Sequence, residues 1–191
     1  DVCSSDLMTI SAHKVGGPLG IGALILRRAV EIPPLLHGGG QERDIRSSTV
    51  NAPGIVSFAT AVDQALANLQ DNYSKMSSLQ FQLREGILSE VPEARINGWA
   101  QEILPNILNV TFPGTVNESL LVLLDLAGIS ASQGSACSAG VQRPSHVLLA
   151  LGLSEEEADS TVRFSLGHTS TVDDVDHLCR VIADVVKKAK R

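Results

Sequence analysis

One apolar stripe in the middle of the chain constrains the fold more than any other feature of the sequence. Apolar side chains recur every three or four residues from Ile55 to Ile87, which is the period of one face of an α-helix. Asn51 and Pro53 suit the N-cap and the first turn of that helix. The pattern predicts a single helix of about nine turns. A helix this long often links two domains, so we place a domain boundary near residue 70.

Short strands and helices alternate on both sides of this helix. The predicted strands are residues 6–12 and 20–28, both buried, then 106–112 and 161–166. The further predicted helices are 117–128, 144–152, one that begins with the S-x-x-E capping box at Ser154, and 171–190. Residues 31–48 hold two prolines and three glycines among polar residues, which indicates a long loop. Strands mixed with helices predict an α/β or α+β fold.

Composition excludes several classes of function. The chain has 191 residues, is 43% hydrophobic and carries a net charge of −6, so a nucleic-acid or membrane-surface role is not expected. No apolar run reaches the roughly 18 residues of a membrane span. Three cysteines lie far apart without CxxC pairing, which favours a reducing compartment, the cytoplasm. The chain starts with Asp1, and we expect it to be the later part of a longer protein.

Lys14 is the first candidate for chemistry. It follows a predicted strand in the stretch SAHKVGGP, and ligands of α/β folds commonly bind at strand ends. Gly16 and Gly17 allow a sharp turn beside it, Ser11 and His13 flank it, and a lysine that attacks a carbonyl needs such a setting. A hydroxyl and an imidazole at this place could hold a phosphate. From the residues alone, a solvated loop lysine remains the alternative.

Cys137 is the second candidate, in the stretch SQGSACSAG. Its neighbours are all small, which predicts an exposed loop able to present a reactive group. A small buried cysteine is the alternative. Cys179, by contrast, lies beside the apolar stripe of the last helix, and we expect a structural role for it.

Arg163 is the third candidate, a charged residue inside a half-apolar predicted strand. Arginine grips a carboxylate through two parallel hydrogen bonds, so Arg163 could bind an acid, or it could face solvent. His37, His146 and His177 show no metal-ligand spacing with the cysteines, and no metal site is predicted.

Five stretches, taken in order, resemble the cysteine desulfurases, pyridoxal-phosphate enzymes of fold type I in the class V aminotransferase group. They are DLMTISAHKVGGPLGIGAL, HGGGQERDIRSSTVNAPGI, LPNILNVTFPG, GISASQGSACSAGVQRPSHVLLALGL and VRFSLGHTSTVDDVD. The resemblance implies an α/β fold and the C-terminal half of such an enzyme. Residues 1–70 would be the C-terminal part of the large cofactor-binding domain, and residues 71–191 the small α+β domain with the cysteine loop. Ser48 and Val50 depart from the family, which often has glycine and glutamate there.

The resemblance also assigns roles to individual residues. Lys14 would carry pyridoxal 5'-phosphate as a Schiff base, with Ser11 and His13 at its phosphate and His13 also part of the catalytic set. Thr49 matches a threonine that reaches the cofactor of the neighbouring subunit, which implies a homodimer. Arg163 matches the arginine that binds the substrate carboxylate. Cys137 matches the nucleophile and could be a transient iron–sulfur ligand.

These roles imply an activity and partners. The enzyme would remove sulfur from L-cysteine, leave L-alanine and a persulfide on Cys137, and pass the sulfur to an acceptor or an iron–sulfur scaffold protein. The alternatives are a selenocysteine lyase, another class V pyridoxal-phosphate enzyme, or an inactive fragment that binds a partner. The family's ring-stacking histidine and ring-nitrogen aspartate belong to a first half that this sequence does not contain.

Overall fold

The structure is a computed structural model that describes residues 6–98, 103–134 and 144–190. The chain divides into two compact units, Asp1–Gln70 and Asp71–Arg191. Whether the first unit is part of a larger cofactor domain stays a prediction.

The first unit begins with a β-hairpin. Strand β1 (Leu7–Ser11) pairs antiparallel with β2 (Gly22–Leu26), so that Ser11 lies opposite Gly22. A side chain at Gly22 would place its Cβ 2.7 Å from the carbonyl oxygen of Ile10, so the pairing needs glycine there. The hairpin confirms both predicted strands of this unit.

The predicted burial of these strands is wrong. Four large apolar side chains are about half exposed: Leu7 (49%), Met8 (50%), Leu24 (46%) and Ile25 (47%). An apolar run predicts a strand from local preference, but its burial depends on what packs over it. Within this unit nothing in the described part of the chain covers the hairpin fully.

The loop from residue 31 to 48 contains no helix or strand among its residues, as predicted. A single bridge joins Leu36 to Arg46, and the Ser47 amide donates to the Leu36 carbonyl at 3.2 Å. The backbone takes positive φ angles at the consecutive residues 42–44 and again at Ser48, where φ is 94°. L-residues rarely adopt such angles, so this loop is held under backbone strain.

The long helix that the apolar stripe predicts is in fact two helices. α1 (Ala52–Ala67) and α2 (Leu69–Glu90) are separated by Asn68, whose backbone leaves the helical region at φ −104° and ψ 7°. The Asn68 side chain donates back to the Gln64 carbonyl at 2.8 Å. Asparagine competes in this way with the helical hydrogen bonds, and a stripe of apolar residues carries no sign of it. Asn51 caps α1 as expected, since its Oδ1 accepts from the Gly54 amide.

The second unit packs helices on one face of a small antiparallel sheet. Its strands are β3 (Arg95–Ile96), β4 (Ile107–Thr111) and β5 (Thr161–Ser165), in the order β3-β4-β5. Its remaining helices are α3 (Asn117–Leu126), α4 (His146–Ala150), α5 (Glu155–Asp159) and α6 (Val172–Ala189). Side chains of α2, α3 and α6 form one buried cluster with Leu108, Val110, Val162 and Phe164 of the sheet.

Local signals fix the ends of several helices. The capping box predicted at Ser154 is present, with reciprocal bonds between Ser154 and Glu157. Thr171 and Asp174 form a second capping box at the start of α6, which the sequence analysis did not identify. Gly128 follows α3 with φ 78°, an angle that glycine adopts readily. Of the helices that the structure describes, none is both long enough and apolar enough to cross a bilayer.

Candidate active site

Lys14 lies on a tight turn directly after β1. Residues Ala12–Lys14 form one turn of 3-10 helix, and the amides of Val15 and Gly17 both donate to the Ala12 carbonyl, at 3.0 and 2.8 Å. Ala12 is fully buried. A Cβ at Gly17 would lie 3.0 Å from that of Ala12, so the turn closes tightly only with glycine there.

The buried Ala12 anchors a turn whose other side chains are exposed. Ser11, His13 and Lys14 all lie open to solvent. A primary amine, an imidazole and a hydroxyl therefore share one short, backbone-fixed segment. Within the described residues, Lys14 has no ion-pair partner, so its amine is accessible to a carbonyl group. The structure thus brings together the three neighbouring residues that the sequence analysis selected in this stretch.

Thr49 follows the strained loop in the same unit and is exposed. The residue before it is held from two sides. The Ser48 amide donates to Oε1 of Gln41 at 3.1 Å, and its carbonyl accepts from Arg46 at 3.2 Å. Gln41 and Arg46 therefore fix the backbone that leads into Thr49. The sequence analysis missed Gln41, because its contact spans seven residues of irregular loop.

Arg163 lies in the middle of β5 in the second unit. Its neighbours Val162 and Phe164 point into the core, which leaves Arg163 on the opposite face of the sheet. The residue is half-buried, and its Nε atom is buried without a hydrogen-bond partner among the described residues. Arg163 is therefore not simply a solvent-facing residue on the outer face of its strand, because a fully solvated guanidinium would not bury an Nε atom without a hydrogen-bond partner.

Cys137, the predicted nucleophile, lies outside the described residues, as does Cys3. Cys179 is described, and it is half-buried on α6. Burial raises the pKa of the Cys179 thiol, and the carboxylates of Asp176 and then Glu90 add to the rise. A thiol with a raised pKa is a poor nucleophile at neutral pH, which fits the structural role expected for Cys179.

The candidate residues fall in both units of the chain. Ser11, His13, Lys14 and Thr49 belong to the first unit, and Arg163 belongs to the second. Among the described residues, no group of three or more histidine, cysteine, aspartate or glutamate side chains could hold a metal ion.

Comparison with known proteins assigns the family. The sequence profile of the family described as Aminotransferase class-V matches residues 1–178. The chain belongs to the class-V aminotransferase family. This class-V chain is 45% identical over 185 residues to the "IscS-like cysteine desulfurase" of Mycobacterium tuberculosis, which covers 96% of the chain and 47% of that protein. It is 43% identical to "Cysteine desulfurase IscS" of Methanosarcina thermophila, over 97% of the chain and 46% of that protein.

Solved structures agree with this assignment. The NifS-like protein from Rickettsia africae superposes with a TM-score of 0.83 at 36% identity, over 95% of this chain and 48% of that one. A second NifS-like protein gives 0.82 at 35% identity. The class-V chain therefore has the α/β fold of type I pyridoxal-phosphate enzymes, and it spans about half the length of the relatives it matches. The position of that half within them stays a prediction.

Class-V aminotransferases and the IscS and NifS desulfurases depend on pyridoxal phosphate. The residues of the first unit fit this cofactor. The exposed amine of Lys14 matches its aldehyde, and the exposed hydroxyl of Ser11 and imidazole of His13 are donors that suit a phosphate. The turn closed at Gly17 holds these three groups at one place on the surface.

Proposed function

We propose that the protein to which this chain belongs is a cysteine desulfurase. The observation that carries the proposal is the turn at Ser11–Lys14, which exposes an amine, an imidazole and a hydroxyl on one anchored segment. The names of the relatives at 39–45% identity support it. So does a solved structure named "SspA in complex with cysteine", which is 36% identical with a TM-score of 0.65 over 87% of this chain and 45% of that one.

In this proposal, Lys14 holds pyridoxal phosphate and then moves the proton of the substrate's Cα atom, while Ser11 and His13 bind the phosphate. The cofactor supplies an electron sink for the substrate carbon. Arg163 pairs with the substrate carboxylate, which fixes the orientation of L-cysteine. The thiolate of Cys137 attacks the substrate sulfur. The carbon–sulfur bond breaks, its electrons stay with carbon, a proton adds there to give L-alanine, and the sulfur remains on Cys137 as a persulfide.

The finer assignments belong to the same proposal. Thr49 contacts the cofactor of a second subunit, so the working enzyme is a homodimer. A sulfur-acceptor or iron–sulfur scaffold protein takes the persulfide sulfur from Cys137, which could serve as a transient cluster ligand. The three cysteines lie far apart in the sequence and without CxxC spacing, which supports a cytoplasmic location.

The first test traps the cofactor. The purified chain is mixed with pyridoxal phosphate and reduced with borohydride, which fixes the aldehyde carbon to a lysine nitrogen, and the labelled peptide is mapped. We expect the label on Lys14 and its loss in Lys14→Ala. Lys75 is the matched control, since its Nζ donates to the His168 carbonyl at 2.7 Å. Equal labelling of Lys14 and Lys75 would contradict a specific site.

The second test follows sulfur. The chain with cofactor receives L-cysteine, and mass spectrometry locates added sulfur on the cysteines. We expect a persulfide on Cys137, alanine in equal amount, and neither product in Cys137→Ser. Sulfur on Cys179 instead would reject Cys137 as the nucleophile. Faster alanine release from selenocysteine than from cysteine would favour the lyase alternative.

A further inference from the structure

Arg163 lies in a row of side chains that crosses the sheet of the second unit. β4 and β5 pair Asn109 with Arg163, and an isolated bridge pairs Ser132 with Arg163 on its other side. The Asn97 amide donates to the Asn109 carbonyl at 2.9 Å, which continues the row beyond β3. Cross-strand partners share a face of a sheet, so Asn97, Asn109 and Ser132 lie on the face that carries Arg163.

The two neighbours of Arg163 differ in how closely their side chains approach it. Ser132 and Arg163 exchange two backbone hydrogen bonds, at 2.7 and 3.1 Å, and form a hydrogen-bonded pair. Because the backbone of Arg163 bonds toward Ser132, its pairing with Asn109 is the non-hydrogen-bonded kind. The bond from the Phe112 amide to the Ser160 carbonyl, in the same alternation, agrees with this. Side chains approach closest in non-hydrogen-bonded pairs, so Asn109 is the closer neighbour.

Asn109 is itself held in place. Nδ2 of Asn97 donates to Oδ1 of Asn109 and to Oγ1 of Thr111, both at 2.8 Å. The Thr111 hydroxyl lies 2.7 Å from that of Thr161 on the same face. A side chain locked in this way presents a fixed surface to its cross-strand partner.

The Arg163 side chain needs such a fixed neighbour to keep one orientation. Its side chain has many rotamers, and its buried Nε has no hydrogen-bond partner among the described residues. No carboxylate in the described part of the chain forms an ion pair with it, so its positive charge remains available for a ligand. The amide of Asn109 has no charge that could neutralise the guanidinium, whereas a carboxylate at this position would bind it.

We propose that Asn109, locked by Asn97, is a positioning residue that holds the Arg163 guanidinium ready for the substrate carboxylate. The proposal rests on the proposed function for the role of Arg163, but the orientation of the guanidinium can be measured without cofactor or substrate. Two readouts therefore separate a failure of the positioning from a failure of the function.

The first readout is the nitrogen-15 NMR signal of the Arg163 Nε–H group in the full chain, assigned through its loss in Arg163→Lys. We expect a heteronuclear NOE as high as that of the surrounding strand. Asn109→Leu, close in size and without an amide, should lower that NOE, and Asn109→Asp should keep it high. The matched control Thr111→Val, which alters the same face but leaves Asn109 bonded to Asn97, should leave it unchanged. An unchanged NOE in Asn109→Leu would overturn the proposal.

The second readout is turnover of L-cysteine by the cofactor-loaded protein. Asn109→Leu should raise KM on the order of tenfold with kcat nearly unchanged, because a displaced guanidinium binds the carboxylate less well. Asn109→Asp should raise KM further, although it preserves the shape and the fold, because the introduced carboxylate would pair with Arg163. If Asn109→Leu fails to fold, Asn109→Asp decides: a wild-type KM in it overturns the proposal. No turnover by the wild type of the full-length protein to which this chain belongs would count against the proposed function, and the NMR result would still judge the positioning.

Discussion

The two units of the chain use apolar residues in opposite ways. The second unit gathers most of its buried apolar side chains into one cluster, in which Leu120, Leu124 and Ile182 are fully buried. Among its described residues, the first unit buries only the apolar side chains of Ala12 and Phe58, and it leaves its hairpin about half exposed. Burial of apolar surface is the main favourable term in folding, so the second unit should hold most of the chain's stability. The first unit, which holds the proposed cofactor lysine, therefore depends more for its stability on contacts beyond its own described residues.

Replacing a leucine by alanine in each unit tests this comparison with the largest expected effect. Leu124→Ala, in the second unit, should lower the free energy of unfolding by about 3 kcal/mol, because it opens a cavity at a fully buried site. Leu24→Ala, at a residue 46% exposed, should change it by about 0.5 kcal/mol or less. Urea unfolding followed by circular dichroism measures both. Equal losses would contradict the contrast between the units.

Gly86→Ala tests how tightly two helices of the second unit, α2 and α6, pack against each other. A Cβ on Gly86 would overlap Sγ of Cys179, so α2 and α6 meet only because this position is glycine. We expect a loss of about 2 kcal/mol from overpacking. In a Cys179→Ala background, the same change should be close to neutral, since the remaining contact with the Cβ of residue 179 at 3.3 Å offsets the better helix propensity of alanine. A double-mutant cycle in urea measures the coupling, and additive effects would disprove the contact.

Ser48→Gly is the matching change in the first unit. Ser48 has a φ of 94°, an angle that glycine adopts more readily than serine, so the substitution should relieve about 1 kcal/mol of local strain. We expect about fivefold slower hydrogen exchange in the peptide around Thr49, read by mass spectrometry. The control is the neighbouring Ser47→Gly, at a serine without a positive φ, which should not slow exchange. Faster hydrogen exchange in Ser48→Gly would contradict backbone strain at Ser48.

Acid should slightly lower the stability of the second unit. The amide of Ser154 and then Arg95 lower the pKa of Glu157, and the Thr171 amide lowers the pKa of Asp174. A lowered pKa means that these carboxylates stabilise the fold above their ordinary values of 4.5 and 3.8. That contribution is lost as pH falls through the lower pKa of the folded state. Thermal unfolding from about pH 6 to about pH 3 should show a smaller decline in a Glu157→Gln, Asp174→Asn variant than in the wild type.

Local features of this structure could be predicted from the sequence, and features that depend on distant residues could not. The caps at Asn51 and Ser154 follow from a few neighbouring residues, and both were predicted. The break at Asn68 was missed, because an apolar stripe does not show a side chain that competes for backbone hydrogen bonds. The exposure of β1 was missed, because burial depends on elements far away in sequence.

The candidate site divides in the same way. Lys14 and its neighbours form one continuous stretch, so the sequence placed them together. Asn109 was missed as the neighbour of Arg163, since their cross-strand pairing depends on the register of two strands that lie far apart in the chain. The only sequence signal was the alternation of NILNVTF, in which polar Asn109 and Thr111 interrupt the buried residues. The roles of Ser11, His13, Lys14, Thr49, Cys137 and Arg163 stay predictions that the two tests of the proposed function address.

The packing of Cys179 against Gly86 also gives the chain an intrinsic probe of local unfolding. Thiol reagents react with the thiolate, so a half-buried thiol with a raised pKa should alkylate slowly while α2 and α6 stay packed. Its labelling rate should then follow how often these helices separate. Measured beside the other cysteines in one sample, alkylation of Cys179 would report the opening of the second unit without any added probe.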